Sequence, residues 1–197
     1  MKFIAHRINQ SHHLEKIDHK LGVEVDVRVW QDELILAHDP FQFGEELETF
    51  LKNYHHSTLI FNIKCEQIEP KVIELAKKYS INDYFFLDSS IPMINKLTKE
   101  NIDQFAIRLS ELEPIEQLYS FSGKAQWVWV DCFTRFILTK KMEQEIHKMG
   151  FKICLVCPSL QSRSHEIDEH ISIIKSQNIV VDAVCSKIEY FDKWMKD

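Results

Sequence analysis

Glycine and proline are scarce, at four and five among 197 residues. Low-complexity linkers and collagen-like repeats therefore have no support. A nucleotide-binding doubly wound sheet usually carries a Gly-rich phosphate loop after its first strand. Here that position reads His6-Arg7-Ile8-Asn9. Long hydrophobic runs are also missing. The longest are strand-sized, well below the roughly 20 apolar residues of a membrane helix. The first residues, Met1-Lys2-Phe3-Ile4-Ala5-His6-Arg7, hold too short an apolar stretch for a signal peptide. A cytoplasmic protein without integral membrane association is expected. Basic charge is in deficit, with 24 Lys+Arg against 30 Asp+Glu and a formal charge of -6. General nucleic-acid and anionic-membrane binders carry a basic patch, so neither partner is expected. The five cysteines are odd in number and irregularly spaced, which favours reduced thiols over a disulfide framework. Oligomeric state has no signature in these features.

What is present is ordinary globular material, 45% apolar and 27% charged, in a length that suits one domain over 1–197. Apolar, β-branched or aromatic runs of strand length recur at 3–7, 23–30, 33–38, 58–64, 83–88, 104–110, 127–133, 152–158 and 181–187. Helical periodicity fills 44–53, 66–79, 91–100, 113–121, 139–149 and 165–177, more weakly 12–21, and a short tail at 188–195. Thr139 suits a helix cap and Gly150 a helix end, while Pro70, Pro92 and Pro114 suit first turns. Alternating strands and helices predict an α/β fold with a parallel sheet. With 33–38 read as a hairpin return, eight strand–helix units remain, the count of a compact (β/α)8 TIM barrel with short loops.

The strongest chemical signal is Val23-Glu24-Val25-Asp26-Val27-Arg28-Val29. Valines take one face of this strand, and Glu24, Asp26 and Arg28 the other. On a surface hairpin the charged face would be solvated. In a barrel it would point inward, and two adjacent carboxylates would suit a hard cation such as Mg²⁺ or Ca²⁺. Other strand ends favour the second reading. His6-Arg7, His38-Asp39, Asn62 with Lys64, Asp88, Arg108 with Ser110, and Asp131 all lie where strands finish. In a barrel those ends form the catalytic rim.

Ile4-Ala5-His6-Arg7, Glu24-x-Asp26, His38-Asp39 and Ile63-Lys64, in that order, resemble the glycerophosphodiester phosphodiesterase family of the phospholipase C-like superfamily. Val181-Asp182-Ala183-Val184-Cys185-Ser186 is similar to that family's last strand. The resemblance implies a (β/α)8 barrel that hydrolyses a small phosphodiester with a divalent cation, Mg²⁺ or Ca²⁺. It implies metal ligands at Glu24 and Asp26, acid–base catalysis by His6 and His38, and phosphate contacts from Arg7 and Lys64. Cation, Arg and Lys would stabilise the charge that builds on phosphorus-bound oxygens, and imidazoles exchange protons near neutral pH.

The chain departs from the family at three points. Ile8 follows His-Arg where the family has glycine, and Asn9 is the only nearby residue matching the family's Glu-Asn pair in type. Asn62 stands at the third metal carboxylate, where its amide oxygen can still coordinate. Residues 40–57 are all that separates His38-Asp39 from the lysine strand, so the insertion that encloses a glycerol group is missing. Two alternatives follow: a phosphate-ligand-binding barrel without turnover, or a lyase forming a cyclic phosphate.

Other candidates are weaker. Arg108 needs a partner if buried. It would pair with Glu24, Asp26 or Asp131, or contact a substrate anion, the role assigned to it here. Cys154 and Cys157 are three apart on a strand and face opposite sides, so they read as buried thiols. His165 and His170 are five apart, which misaligns them for a zinc helix and favours a solvated face. His12-His13 and His55-His56 read as surface residues, and Trp127 and Trp129 as core.

Overall fold

The computed structural model describes residues 1–195. Its strands are β1 (Lys2–Ala5), β2 (Gly22–Trp30), β3 (Glu33–Leu36), β4 (Glu45–Glu46), β5 (Leu59–Ile63), β6 (Tyr84–Leu87), β7 (Ala106–Leu109), β8 (Trp127–Val130), β9 (Lys152–Val156) and β10 (Ala183–Ser186). Its α-helices are α1 (Leu47–Lys52), α2 (Glu69–Lys78), α3 (Ile91–Leu97), α4 (Lys140–Lys148), α5 (Ile167–Ser176) and α6 (Phe191–Met195). The chain forms two compact units, one of Ala5–Phe105 and one of Met1–Ile4 with Ala106 onward.

In the Ala5–Phe105 unit the strand order is β4-β3-β2-β5-β6. β2 pairs parallel with β5, and β5 with β6, while β3 returns antiparallel along β2. That return is the hairpin expected from 33–38. β4 is a two-residue antiparallel addition inside a segment whose pattern reads as helix, because pairing with Leu36 captures Glu45 before α1 begins. Phe61, Phe86 and Phe105 stack in sequence with ring centroids 5.8 and 5.6 Å apart, and all three are fully buried. Rings of this size dominate the apolar area that such a core removes from water. Val23, Val25 and Val27 are equally buried.

The second unit runs β1-β10-β9-β8-β7, with β7, β8, β9 and β10 parallel. Thr139 caps α4 by accepting the Met142 N–H at 3.2 Å, and Gly150 takes φ +91° just beyond it. The C-terminal position of such a helix demands that left-handed geometry, which glycine adopts without penalty. Pro70 and Pro92 sit in first turns as expected. Pro114 instead precedes a 3-10 helix, Ile115–Phe121, where an α-helix is expected. The weak 12–21 segment is a 3-10 helix at Ser11–Lys16. Trp127 and Trp129 are core. His170 corrects its expectation: it is buried, with its ring edge-on to Phe136 at 4.9 Å, and only His165 faces solvent. No helix among the described residues is long and apolar enough to cross a membrane.

Candidate active site

β2 decides between the two readings of its charged face. Glu24 and Asp26 are both 0% exposed, so the solvated-hairpin alternative is excluded. Two carboxylates on one buried face repel each other and lose hydration, and such groups persist only with compensating donors or cations. Burial, and next the charge of Asp26, raise the Glu24 carboxyl to about 7.

The compensation is built from four residues, Arg7 and Asn9 after β1 and Asn62 and Lys64 at the end of β5. Arg7 adopts φ +57°, a left-handed conformation that costs a non-glycine residue about 1–3 kcal/mol. This turn aims its backbone N–H at Glu24 Oε2, 2.6 Å away. The Arg7 guanidinium then lies 3.7 Å from Asp26 Oδ2. Asn9 holds Asp26 twice. Its Nδ2 donates to Asp26 Oδ2 at 2.9 Å, and its Oδ1 accepts the Asp26 N–H at 2.8 Å. From β5, Asn62 Nδ2 donates to Glu24 Oε1 at 2.8 Å. Lys64, just past β5, places Nζ 3.6 Å from Asp26 Oδ1 and 3.4 Å from Asp88 Oδ2.

His6 completes the cluster, with Nε2 3.7 Å from Glu24 Oε2. Burial, and then the Arg7 charge, lower its imidazole to about 4. His38 lies close enough for its charge to act on His6, and its Nδ1 hydrogen-bonds Asp39 Oδ1 at 2.7 Å. Arg28 fixes the His38 backbone. Its Nε and Nη2 donate to the His38 carbonyl at 3.0 and 2.7 Å, and its Nη1 donates to the Lys64 carbonyl at 3.2 Å.

The structure therefore assembles His6, Arg7, Glu24, Asp26, His38, Asn62 and Lys64 within one unit. Arg108 belongs to the other unit, where its guanidinium pairs with Asp131 and lies 3.9 Å from Glu113. Asn9 and Arg28 are visible in the sequence, which gives neither of them a role in the site. Asn9 stands three residues after His6, a visible but unspecific signal. Arg28 shares the charged face of β2 with Glu24 and Asp26, but its partners are backbone carbonyls, which the sequence does not display.

The donor set suits a hard cation. Among the described residues no three His, Cys, Asp or Glu side chains are placed to hold an ion together, but here the third oxygen belongs to an amide. Asp26 Oδ1 and Asn62 Oδ1 are both buried without a hydrogen-bond partner. Orphaned buried acceptors of this kind demand an explanation. Two such oxygens, on residues paired across β2 and β5 beside the Glu24 carboxylate, suit the all-oxygen coordination that Mg²⁺ and Ca²⁺ require.

No family model matches this chain, and no curated protein matches it in sequence. Solved structures do match. A glycerophosphodiester phosphodiesterase from Agrobacterium tumefaciens str. C58 superposes with a TM-score of 0.65 at 13% identity, covering 98% of this chain and 99% of that one. A glycerophosphoryl diester phosphodiesterase from Parabacteroides distasonis ATCC 8503 gives a TM-score of 0.64 at 14% identity, over 99% and 87% of the two chains. This chain shares their fold. The α/β architecture expected from the alternating pattern is thus that of known phosphodiesterases across nearly the full chain, at only 13% and 14% sequence identity.

Proposed function

We propose that this protein is a cation-dependent phosphodiesterase, hydrolysing a phosphodiester to a phosphomonoester and an alcohol. One observation carries the reading. A fully buried carboxylate pair, Glu24 and Asp26, has one oxygen without a hydrogen bond, Asp26 Oδ1, lies beside a second, Asn62 Oδ1, and is ringed by His6, Arg7 and Lys64. A merely structural cluster would leave neither of these two oxygens buried without a hydrogen bond. Glu24, Asp26 and Asn62 would hold Mg²⁺ or Ca²⁺, which when bound supplies Lewis-acid stabilisation of the phosphoryl oxygens.

The remaining steps fall to the chain's own residues. Arg7 and Lys64 contact the phosphate and balance the charge that grows on its oxygens. Of His6 and His38, one removes a proton from the attacking water and the other gives a proton to the departing ester oxygen. Asn9 positions Asp26, and Arg28 positions the backbone at His38 and Lys64. Arg108 pairs with Asp131, and no step of this scheme is assigned to it. The names of the two structural neighbours support this chemistry.

The test is product identity. Incubation of the protein with Mg²⁺ or Ca²⁺ and glycerophosphocholine or bis(p-nitrophenyl) phosphate, followed by phosphorus NMR, should show a phosphomonoester. A cyclic phosphate would replace hydrolysis with a lyase step in which a substrate hydroxyl attacks. Bound cation with no turnover of any phosphodiester would reduce the site to ligand binding.

A further inference from the structure

Four of the ten histidines gather in one cavity that the proposed chemistry does not use. The cavity measures about 320 Å³, and His12, Glu15, His19, His55 and His56 are among its walls. All five belong to the Ala5–Phe105 unit. His12 and Glu15 lie on the 3-10 helix Ser11–Lys16, whose threefold turn puts residues three apart on one face. His19 follows that helix and precedes β2, while His55 and His56 precede β5. The cavity therefore sits at the N-terminal ends of these two parallel strands, whereas Lys64 leaves the opposite end of β5.

His19 and His56 are held in defined tautomers. Their rings stack with centroids 4.7 Å apart and 26° between planes. His56 Nε2 lies 3.0 Å from the Ile17 carbonyl oxygen, and His19 Nδ1 lies 3.2 Å from the His55 carbonyl oxygen. A carbonyl oxygen only accepts, so each of these nitrogens carries the proton. His56 then keeps its lone pair on Nδ1, and His19 keeps its own on Nε2. His56 Nδ1 is buried without a hydrogen-bond partner. A basic nitrogen withdrawn from water, with nothing donating to it, demands an explanation. Burial lowers the His56 imidazole below its ordinary value, against the pull of the Ile17 and Leu14 carbonyls. Its neutral, lone-pair-bearing form therefore prevails at neutral pH.

An imidazole anchored through one N–H to a backbone carbonyl, with its other nitrogen bare, is in the form that binds a metal. Nitrogen donors suit Zn²⁺, Cu²⁺ or Ni²⁺, whereas oxygen donors suit Mg²⁺ and Ca²⁺. This preference is opposite to that of the oxygen set at Glu24, Asp26 and Asn62. Among the described residues no three His, Cys, Asp or Glu side chains are placed to hold an ion together, so the two imidazoles are the fixed part of the site. His12 and Glu15 are exposed, and their side chains can change rotamer to complete a fourfold N/O set.

We propose that His19 Nε2 and His56 Nδ1 anchor a second cation site, selective for Zn²⁺ or another borderline divalent ion and completed by His12 and Glu15. The ion ties the 3-10 helix to the turn ahead of β5 and so stabilises the connection from β1 to β2, which carries Asn9. It takes no part in phosphodiester hydrolysis, and the inference does not rest on that reading.

Calorimetry with Zn²⁺, in excess Mg²⁺ to occupy the carboxylate centre, tests it. The parent should bind Zn²⁺ at micromolar concentration at pH 7.5, and binding should weaken as pH falls through about 6.5, where imidazoles take protons. His19→Ala and His56→Asn should each weaken binding by about tenfold or more, while Asp26→Asn should bind Zn²⁺ like the parent. Zn²⁺ should raise the melting temperature of the parent but not of His19→Ala. Without zinc, His19→Ala should melt with the parent, since its side chain is exposed, which separates a lost ligand from a lost fold. Undiminished binding in either histidine variant would overturn the proposal. So would uptake only at millimolar Zn²⁺, an adventitious ion only. Loss of binding in Asp26→Asn would assign the zinc to the carboxylate centre and overturn it as well.

Discussion

Asn62 is where the balance of charge in the site is set. Its amide donates to Glu24 through Nδ2 and leaves Oδ1 without a partner. Asn62→Glu removes that donor and buries a third carboxylate beside Glu24 and Asp26. Without cation the variant should melt below the parent, because unpaired buried charge is costly. With cation it should gain more, tightening the ion on the order of tenfold. Thermal melting across a Mg²⁺ and a Ca²⁺ titration checks both halves, and an unchanged response would remove Asn62 from the coordination set. The histidines should behave differently. His6→Ala and His38→Ala should each lower kcat by roughly two to four orders of magnitude, with cation affinity by calorimetry largely kept. At this scale the valine alternation of β2 displays Glu24 and Asp26 in the sequence because strand geometry is local. Their complete burial is not local. It depends on β5 lying alongside with Asn62 opposite Asp26, and on Arg7 turning its N–H inward.

The loop following β3 joins stability to the site. Gly44→Ala would force a Cβ against the Leu36 carbonyl oxygen, a backbone contact that no rotamer relieves. A loss of about 1–3 kcal/mol in urea unfolding is expected, together with reduced turnover, because the same loop holds His38. Elsewhere, α4 links two acidic partners through His147. Its Nδ1 lies 2.7 Å from Glu143 Oε1, and its Nε2 2.9 Å from Asp182 Oδ2. Partial burial by itself would lower the imidazole, but the bonds to Asp182 and Glu143 outweigh it, and its pKa is raised above 6.5. The stabilisation is thus fully present below pH 6.5 and fades as pH rises through the elevated value. His147→Gln should cost melting temperature at pH 5.5 and cost distinctly less at pH 8.5, and an equal deficit at both pH values would contradict the ion-pair role. Strand positions were legible at this scale because apolar runs of that length have few alternatives. The 3-10 helix Ile115–Phe121 and the short strand β4 were not, since helical periodicity does not distinguish a 3-10 turn from an α-helix and two residues carry no period.

At the scale of the whole molecule, eight strand–helix units read from alternation correspond to a chain that superposes on phosphodiesterase structures at 13% and 14% identity. Fold survives such divergence because burial pattern and element order, rather than particular side chains, specify it. The chemistry depends on the particular side chains, and most of them lie within the first 64 residues. The most direct measurement is therefore the rate of phosphodiester hydrolysis by chelator-treated protein as Mg²⁺, Ca²⁺ or Mn²⁺ is restored, run beside Asp26→Asn and His6→Ala. Turnover that is absent in chelator, returns with cation in the parent and stays at least about two orders of magnitude lower in His6→Ala is the predicted result, with Asp26→Asn needing far more cation for any rate. Full activity in chelator, or equal rates in all three proteins, would contradict it.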